Sequence, residues 1–377
     1  MKRILILLFA LLIIGGGVLA YRGAAPDRVS ADVVALQAAD SQGFPQADRV
    51  RAFTYPQDHG PHPDYQTEWW YYTGNVDTSD GRHFGYQLTF FRRAITPTAP
   101  GRASDWATNQ IYFAHFAIAD VQANTHSFTE RFSRGAAGLA GAAGSPYHVW
   151  LEDWEIQSLS ADGNKVQLRA RDGSQALDLT LTSAKPIVLH GDRGLSAKSA
   201  AAGNASYYYS FTRLQTEGKL TSNGQTYAVQ GLSWMDHEFG TTALGPQAVG
   251  WDWFSIQLSD NRELMFFQIR QKDGSIEPLS GGTLVEPDGT TRHLSKDEVK
   301  LGVLGTWTSP RSQATYPARW TLSIPSADVN LTLTPYISDQ EMNVSFVYWE
   351  GAVRIDGQSR GAPVRGSGYV EMTGYAR

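Results

Sequence analysis

Cysteine is absent from the 377 residues. Disulfides, thiolate nucleophiles and cysteine-based zinc sites are excluded together. Charge is scarce as well: 18% of residues are Asp, Glu, Lys or Arg, and the formal net charge is -5. Nucleic acid is therefore not an expected partner, because its recognition wants a basic face. No strong helical pattern follows residue 50. There is no Gly-x-Ser-x-Gly elbow. A phosphate-cradling Gly-Lys-Ser/Thr loop is missing, as is a second histidine at the zincin spacing after His237-Glu238. No cofactor is expected.

What the chain has instead is aromatic residues, at 12% of the composition, arranged in short runs between turn signals. Met1-Lys2-Arg3 is followed by an apolar run from Ile4 to Val18 and by Leu19-Ala20. This is the pattern of a secretory leader, read as residues 1–20, with export to the periplasm or the medium. The other reading is an anchor that holds the chain to a membrane by residues 4–20. Residues 21–50 are polar and Ala-rich and read as a tether.

The stretch from Asp58 to Val76 carries most of the information. Pro61 and Pro63 stiffen its first part, and Gly60 permits a tight bend. The second part reads as a strand. Alternation places Glu68, Trp70 and Tyr72 on one face and Trp69, Tyr71 and Thr73 on the other. Both faces are aromatic, so the strand is expected between two packed layers or along a cavity wall. Glu68 is the unusual residue, since a buried carboxylate must be paired or protonated. His59, His62 and Glu68 are chemically able to bind zinc. The prolines make their spacing rigid but not helical. They are read as a hydrogen-bonded plug, with no metal.

Beyond this stretch the pattern is strand and turn. In His83–Arg93, Phe84, Tyr86, Leu88 and Phe90 share a face. Asn109–Val121 is apolar on both faces, with His115 in its middle. Gly135–Ser145 is almost all Gly and Ala and is expected to be a mobile loop. Asp162-Gly163, Asp172-Gly173 and Asn223-Gly224 mark hairpins. Regular strands between turns indicate barrels or sandwiches.

Three segments carry a resemblance. They are His59-Gly60-x-His62-Pro63-x4-Glu68-Trp-Trp-Tyr-x-Thr-Gly-Asn75, then Trp234-Met235-Asp236-His237-Glu238-Phe239-Gly240, then Gly250-Trp251-Asp252-Trp253-Phe254. Together they resemble the carotenoid 1,2-hydratase (CrtC) and AttH-type family. The resemblance implies an all-β fold of two consecutive lipocalin-like antiparallel β-barrel domains, placed here at 51–240 and 241–377. It also implies a hydrophobic small-molecule partner, isoprenoid or lipid. The chemistry it implies is hydratase-like acid–base chemistry, if the chain is an enzyme, with His237, Asp236 and Glu68 as the groups to test. Trp70, Tyr72, Trp251, Trp253, Tyr208 and His115 are the expected ligand-binding residues. The alternative it implies is a non-catalytic lipid carrier associated with an envelope ABC transporter. Two positions depart from the hydratases: Phe239 stands where they have Trp, and Gln268 stands where they have an acid. Gln268 cannot protonate an alkene.

Overall fold

The computed structural model describes residues 41–241 and 244–376. The leader and most of the tether expected before residue 50 lie outside the described residues. The aromatic runs and turn signals resolve into two antiparallel sheets. The first contains β1 (Thr67–Asp77), β2 (His83–Ala94), β3 (Gln110–Asp120), β4 (Thr125–Arg134), β5 (Ala140–Gly144), β6 (Tyr147–Leu151), β7 (Trp154–Ser158), β8 (Lys165–Asp172), β9 (Gln175–Ser183), β10 (Val188–Leu189), β11 (Leu195–Ala197), β12 (Ala205–Ser222) and β13 (Gln225–Gly240). The second contains β14 (Ala248–Leu258), β15 (Glu263–Gln271), β16 (Gly281–Val285), β17 (Thr291–Ser295), β18 (Lys300–Thr308), β19 (Thr315–Ile324), β20 (Val329–Pro335), β21 (Glu341–Asn343), β22 (Val347–Ser359) and β23 (Ala362–Thr373).

The first sheet runs β4-β3-β2-β1-β13-β12-β9-β8-β7-β6-β5 and curls so that β2, β3 and β4 pack on β6. Its enclosed face is filled by side chains, among them Trp70, Tyr72, Tyr86, Phe116, Trp154, Tyr209 and Met235. The second sheet runs β17-β16-β15-β14-β23-β22-β20-β19-β18 around Phe254, Phe266, Trp320, Trp349 and Met372. Each sheet is barrel-like, as lipocalin-like domains are.

β1 has two aromatic faces for a structural reason. It lies mid-sheet between β2 and β13. Trp70, Tyr72 and Val76 enter the first barrel's core. Tyr71 packs on the opposite side with Trp253, Ala352 and Tyr369 of the second sheet. The two sheets therefore meet along a buried seam. Polar contacts cross it as well: Asn75 Nδ2 donates to the Gly368 carbonyl (3.1 Å), and Gln257 Nε2 donates to the carbonyls of Thr212 (2.8 Å) and Ser233 (2.9 Å). Gly85 permits the approach, because a Cβ there would stand 2.6 Å from Ala352 Cβ.

The expectation for Gly135–Ser145 is corrected. Ala140–Gly144 is a strand paired with Tyr147–Leu151. The small residues are there because the entry segment lies on them: a Cβ on Gly144 would meet the Gln57 carbonyl oxygen at 2.4 Å. The composition that suggests a loop is a requirement of close backbone approach.

Candidate functional site

A cavity of about 140 Å³ opens in the seam between the two sheets. A cavity of roughly 150 Å³ holds benzene, so the space suits one ring or the end of a chain. Trp69, Tyr71 and Tyr208 line it from the first sheet. Trp251, Trp253, Phe267 and Tyr348 line it from the second. The strands explain this set. Register slips by one residue between Ala248 and Gly250, and from there alternation sends Trp251 and Trp253 into the cavity. Asp252 points away, to Gln268 Nε2 (2.8 Å), Arg270 Nε (3.2 Å) and Tyr375 Oη (3.0 Å).

Five acidic or basic side chains stand in this apolar wall: Arg93, Lys198, Asp236, Glu238 and Glu371. Lys198 Nζ pairs with Glu238 Oε1 at 3.0 Å and lies 4.6 Å from the Phe267 ring centre. Asp236 accepts from the Tyr208 hydroxyl (2.7 Å), the Trp234 indole (2.7 Å) and Ser210. Burial outweighs these bonds and pushes its carboxyl up to about 7. Glu371 stands directly opposite Glu350 on the neighbouring strand. The Trp251 indole donates to Glu371 Oε1 (2.6 Å), and the Tyr71 hydroxyl donates to Glu350 Oε1 (2.6 Å). Burial raises both carboxyls: Glu371 to about 7, and Glu350 well above the ordinary range, the latter reinforced by the charge of Glu371. Two such acids side by side in an apolar wall hold a proton between them.

The other face of β13 carries a separate network. His237 points into the first barrel, where its Nε2 donates to Glu68 Oε1 (2.8 Å) and its Nδ1 accepts from the Tyr209 hydroxyl (2.8 Å). His62 Nδ1 donates to the same Glu68 oxygen (2.8 Å), and its Nε2 donates to Asp58 Oδ1 (2.9 Å). Arg92 Nε donates to Glu68 Oε2 (2.7 Å). Burial opposes ionisation of Glu68, but Arg92, His237 and His62 together outweigh it and hold the carboxyl well below its usual range. Burial likewise keeps His237 low and neutral. Burial opposes charge on His62 too, but Asp58 and Glu68 overcome it and raise its pKa. Donor atoms of His62, Glu68 and His237 lie within 4.8 Å of one another, so among the described residues these could hold a cation. A cation there would have to displace both imidazole protons from Glu68 and sit beside Arg92.

The residues singled out from sequence therefore divide. Asp236, Tyr208, Trp251 and Trp253 line the cavity. Glu68, His237, Trp70 and Tyr72 occupy the first barrel's interior, with the Tyr72 hydroxyl 3.2 Å from that of Tyr147. Asp236 and His237 are neighbours on β13 but point to its opposite faces, so they do not form a single acid–base group. His115 does not line the cavity, but it touches Tyr348, which does. Sequence reasoning missed Glu350, Glu371, Lys198 and Tyr348. The signal was available: Glu350 and Glu371 each stand among aromatic and apolar neighbours in a strand, as Glu68 does.

The fold and seam define a two-barrel lipocalin-like protein with a cavity between its barrels. The chain belongs to the AttH-like family, whose model matches residues 46–375. An AttH candidate from Nitrosomonas europaea, solved as a crystal structure, is 33% identical; the match covers 88% of this chain and 100% of that one, with a TM-score of 0.78. Kievitone hydratase from Nectria haematococca shares the fold at 17% identity, over 89% of this chain and 96% of its own, TM-score 0.66. CghA, solved with Sch210972, shares it at 15% identity, over 81% and 88%, TM-score 0.52. A search of curated proteins returns no match.

Proposed function

We propose that this protein takes an apolar molecule, or the apolar end of an isoprenoid or lipid-like one, into the seam and transfers a proton to it. The reaction class is hydration, cyclisation or isomerisation. The observation that carries this reading is the Glu350–Glu371 pair: a carboxyl kept protonated near neutral pH in an aromatic wall is a proton donor. The hydratases' acid position falls at Gln268, which faces away from the cavity; the acid here stands on the last strand instead. Protonating an alkene leaves a carbocation, and the faces of Trp251, Trp253 and Tyr208 suit one. The relatives' names, a hydratase among them, agree with this class of reaction.

The test begins with organic extraction of the mature protein from its own host and mass spectrometry of what co-purifies. With that molecule as substrate, Glu371→Gln is expected to lower turnover by about 10²-fold or more while binding persists. Unchanged turnover would remove Glu371 from the mechanism.

A second reading, an exported carrier that hands its ligand to an envelope ABC transporter, is favoured by the cavity rim. Phe91, Phe113 and Phe132 stack in series, at 4.5 and 5.4 Å between ring centres, and Phe132 is 54% exposed. This ladder runs from solvent to the cavity wall. A stoichiometric ligand released chemically unchanged after prolonged incubation would select the carrier.

A further inference from the structure

A second chain of groups reaches the cavity from behind its wall. His115 on β3 stands directly opposite Glu130 on β4, and its Nε2 meets Glu130 Oε1 at 2.9 Å. Its Nδ1 meets the Tyr348 hydroxyl at 2.7 Å, and Tyr348 lines the cavity. His115 is wholly buried. The other Glu130 oxygen accepts from the Ser345 amide (3.0 Å) and hydroxyl (2.7 Å). The first barrel thus supplies carboxylate and imidazole. The second supplies the phenol and the clamp on the carboxylate.

The direction of the hydrogen bonds follows. Burial works against an ionised Glu130, but the bonds from His115 and Ser345 outweigh it and hold the carboxyl below its ordinary range. An ionised Glu130 only accepts, so His115 Nε2 carries a hydrogen. An imidazole that carries its hydrogen on Nε2 alone offers the Nδ1 lone pair to the Tyr348 O–H. Carboxylate, imidazole and hydroxyl in this order form the arrangement that activates a hydroxyl.

We infer that Glu130, His115 and Tyr348 form a proton relay that makes Tyr348 the base of the seam cavity, acting on molecules with a C–H made acidic by a neighbouring carbonyl or cation. This rests on the acid–base reading above and supplies its missing half. Tyr348 Oη takes the proton from carbon, and its own proton passes to His115 Nδ1. The C–H electron pair becomes the new C=C bond. Glu130 holds the imidazolium. Glu371 gives its proton to another atom of the same molecule, so substrate and product are isomers and nothing is oxidised. The proton on His115 returns to Glu371 through solvent after release. Tyr348 is the catalytic residue; His115 and Glu130 are positioning residues.

Two measurements on the full chain test this. The first is nitrogen-15 NMR of His115 without ligand, where the neutral Nε2–H form is expected. An Nδ1–H form or an imidazolium at pH 7 would overturn the relay. The second uses cyclohexanone, a ring of the cavity's size, in D2O. Binding is read by saturation-transfer NMR and exchange of its α-hydrogens by proton NMR. The wild type is expected to speed exchange over buffer. Tyr348→Phe and His115→Gln are expected to lower the gain about 10²-fold with binding retained. Bound ketone without accelerated exchange, or variants that exchange like the wild type, would overturn the relay and leave the Glu371 reading standing. Ketone that does not bind would overturn the cavity reading, and the relay with it.

Discussion

Asp236 shows what a single side chain contributes at this seam. Its carboxyl titrates at about 7 in the fold against an ordinary 3.8. The folded state therefore keeps a proton that the unfolded chain releases between about pH 4 and 7. Stability from this group is lost as pH rises through that window and is level above it. The stability of Asp236→Asn relative to the wild type is expected to grow by up to about 4 kcal/mol across the window and then stay flat. Urea midpoints at pH 4.5, 6 and 8 check this; a difference independent of pH would contradict it. Glu371 belongs to the same class, yet only Asp236 was singled out from the sequence. A lone acid in an aromatic strand announces burial. Whether its face meets its own barrel or the neighbouring one depends on the packing of two sheets, and no local pattern encodes that.

At the scale of the element, β13 decides the division of labour. Alternation along Trp234–Phe239 was readable and correct: His237 goes one way, Asp236 and Glu238 the other. What alternation does not reveal is that both faces are interiors. On the barrel side, Glu68, His62, His237 and Arg92 tie the entry segment to the first residues of β1. Glu68→Gln is expected to destabilise by about 3–5 kcal/mol, because Arg92 keeps its charge in a dry site without its carboxylate. Denaturant unfolding at pH 7 measures this, and a loss under 1 kcal/mol would show the network to be dispensable. Hairpins closed by Asp-Gly and Asn-Gly turns were equally legible. The strand at Ala140–Gly144 was not, because its small residues answer to Gln57 from a distant part of the chain.

Across the whole molecule, the seam is what makes two barrels one structure. Its ionic centre is Glu263 of the second sheet, held by Lys185 Nζ (2.7 Å) and by Arg213 of the first. Glu263→Ala leaves two buried cations facing each other. It is expected to cost about 3–5 kcal/mol and to split one cooperative unfolding transition into two, as calorimetry would show; a single, barely shifted transition would assign the coupling to apolar contacts alone. The seam has a further consequence. The residues that fill the barrels and those that face the cavity are different sets, drawn alternately from the same strands. Selection on the choice of ligand can therefore rewrite one set while the other stays fixed. A lineage built on this plan is free to change its chemistry without having to relearn how to fold.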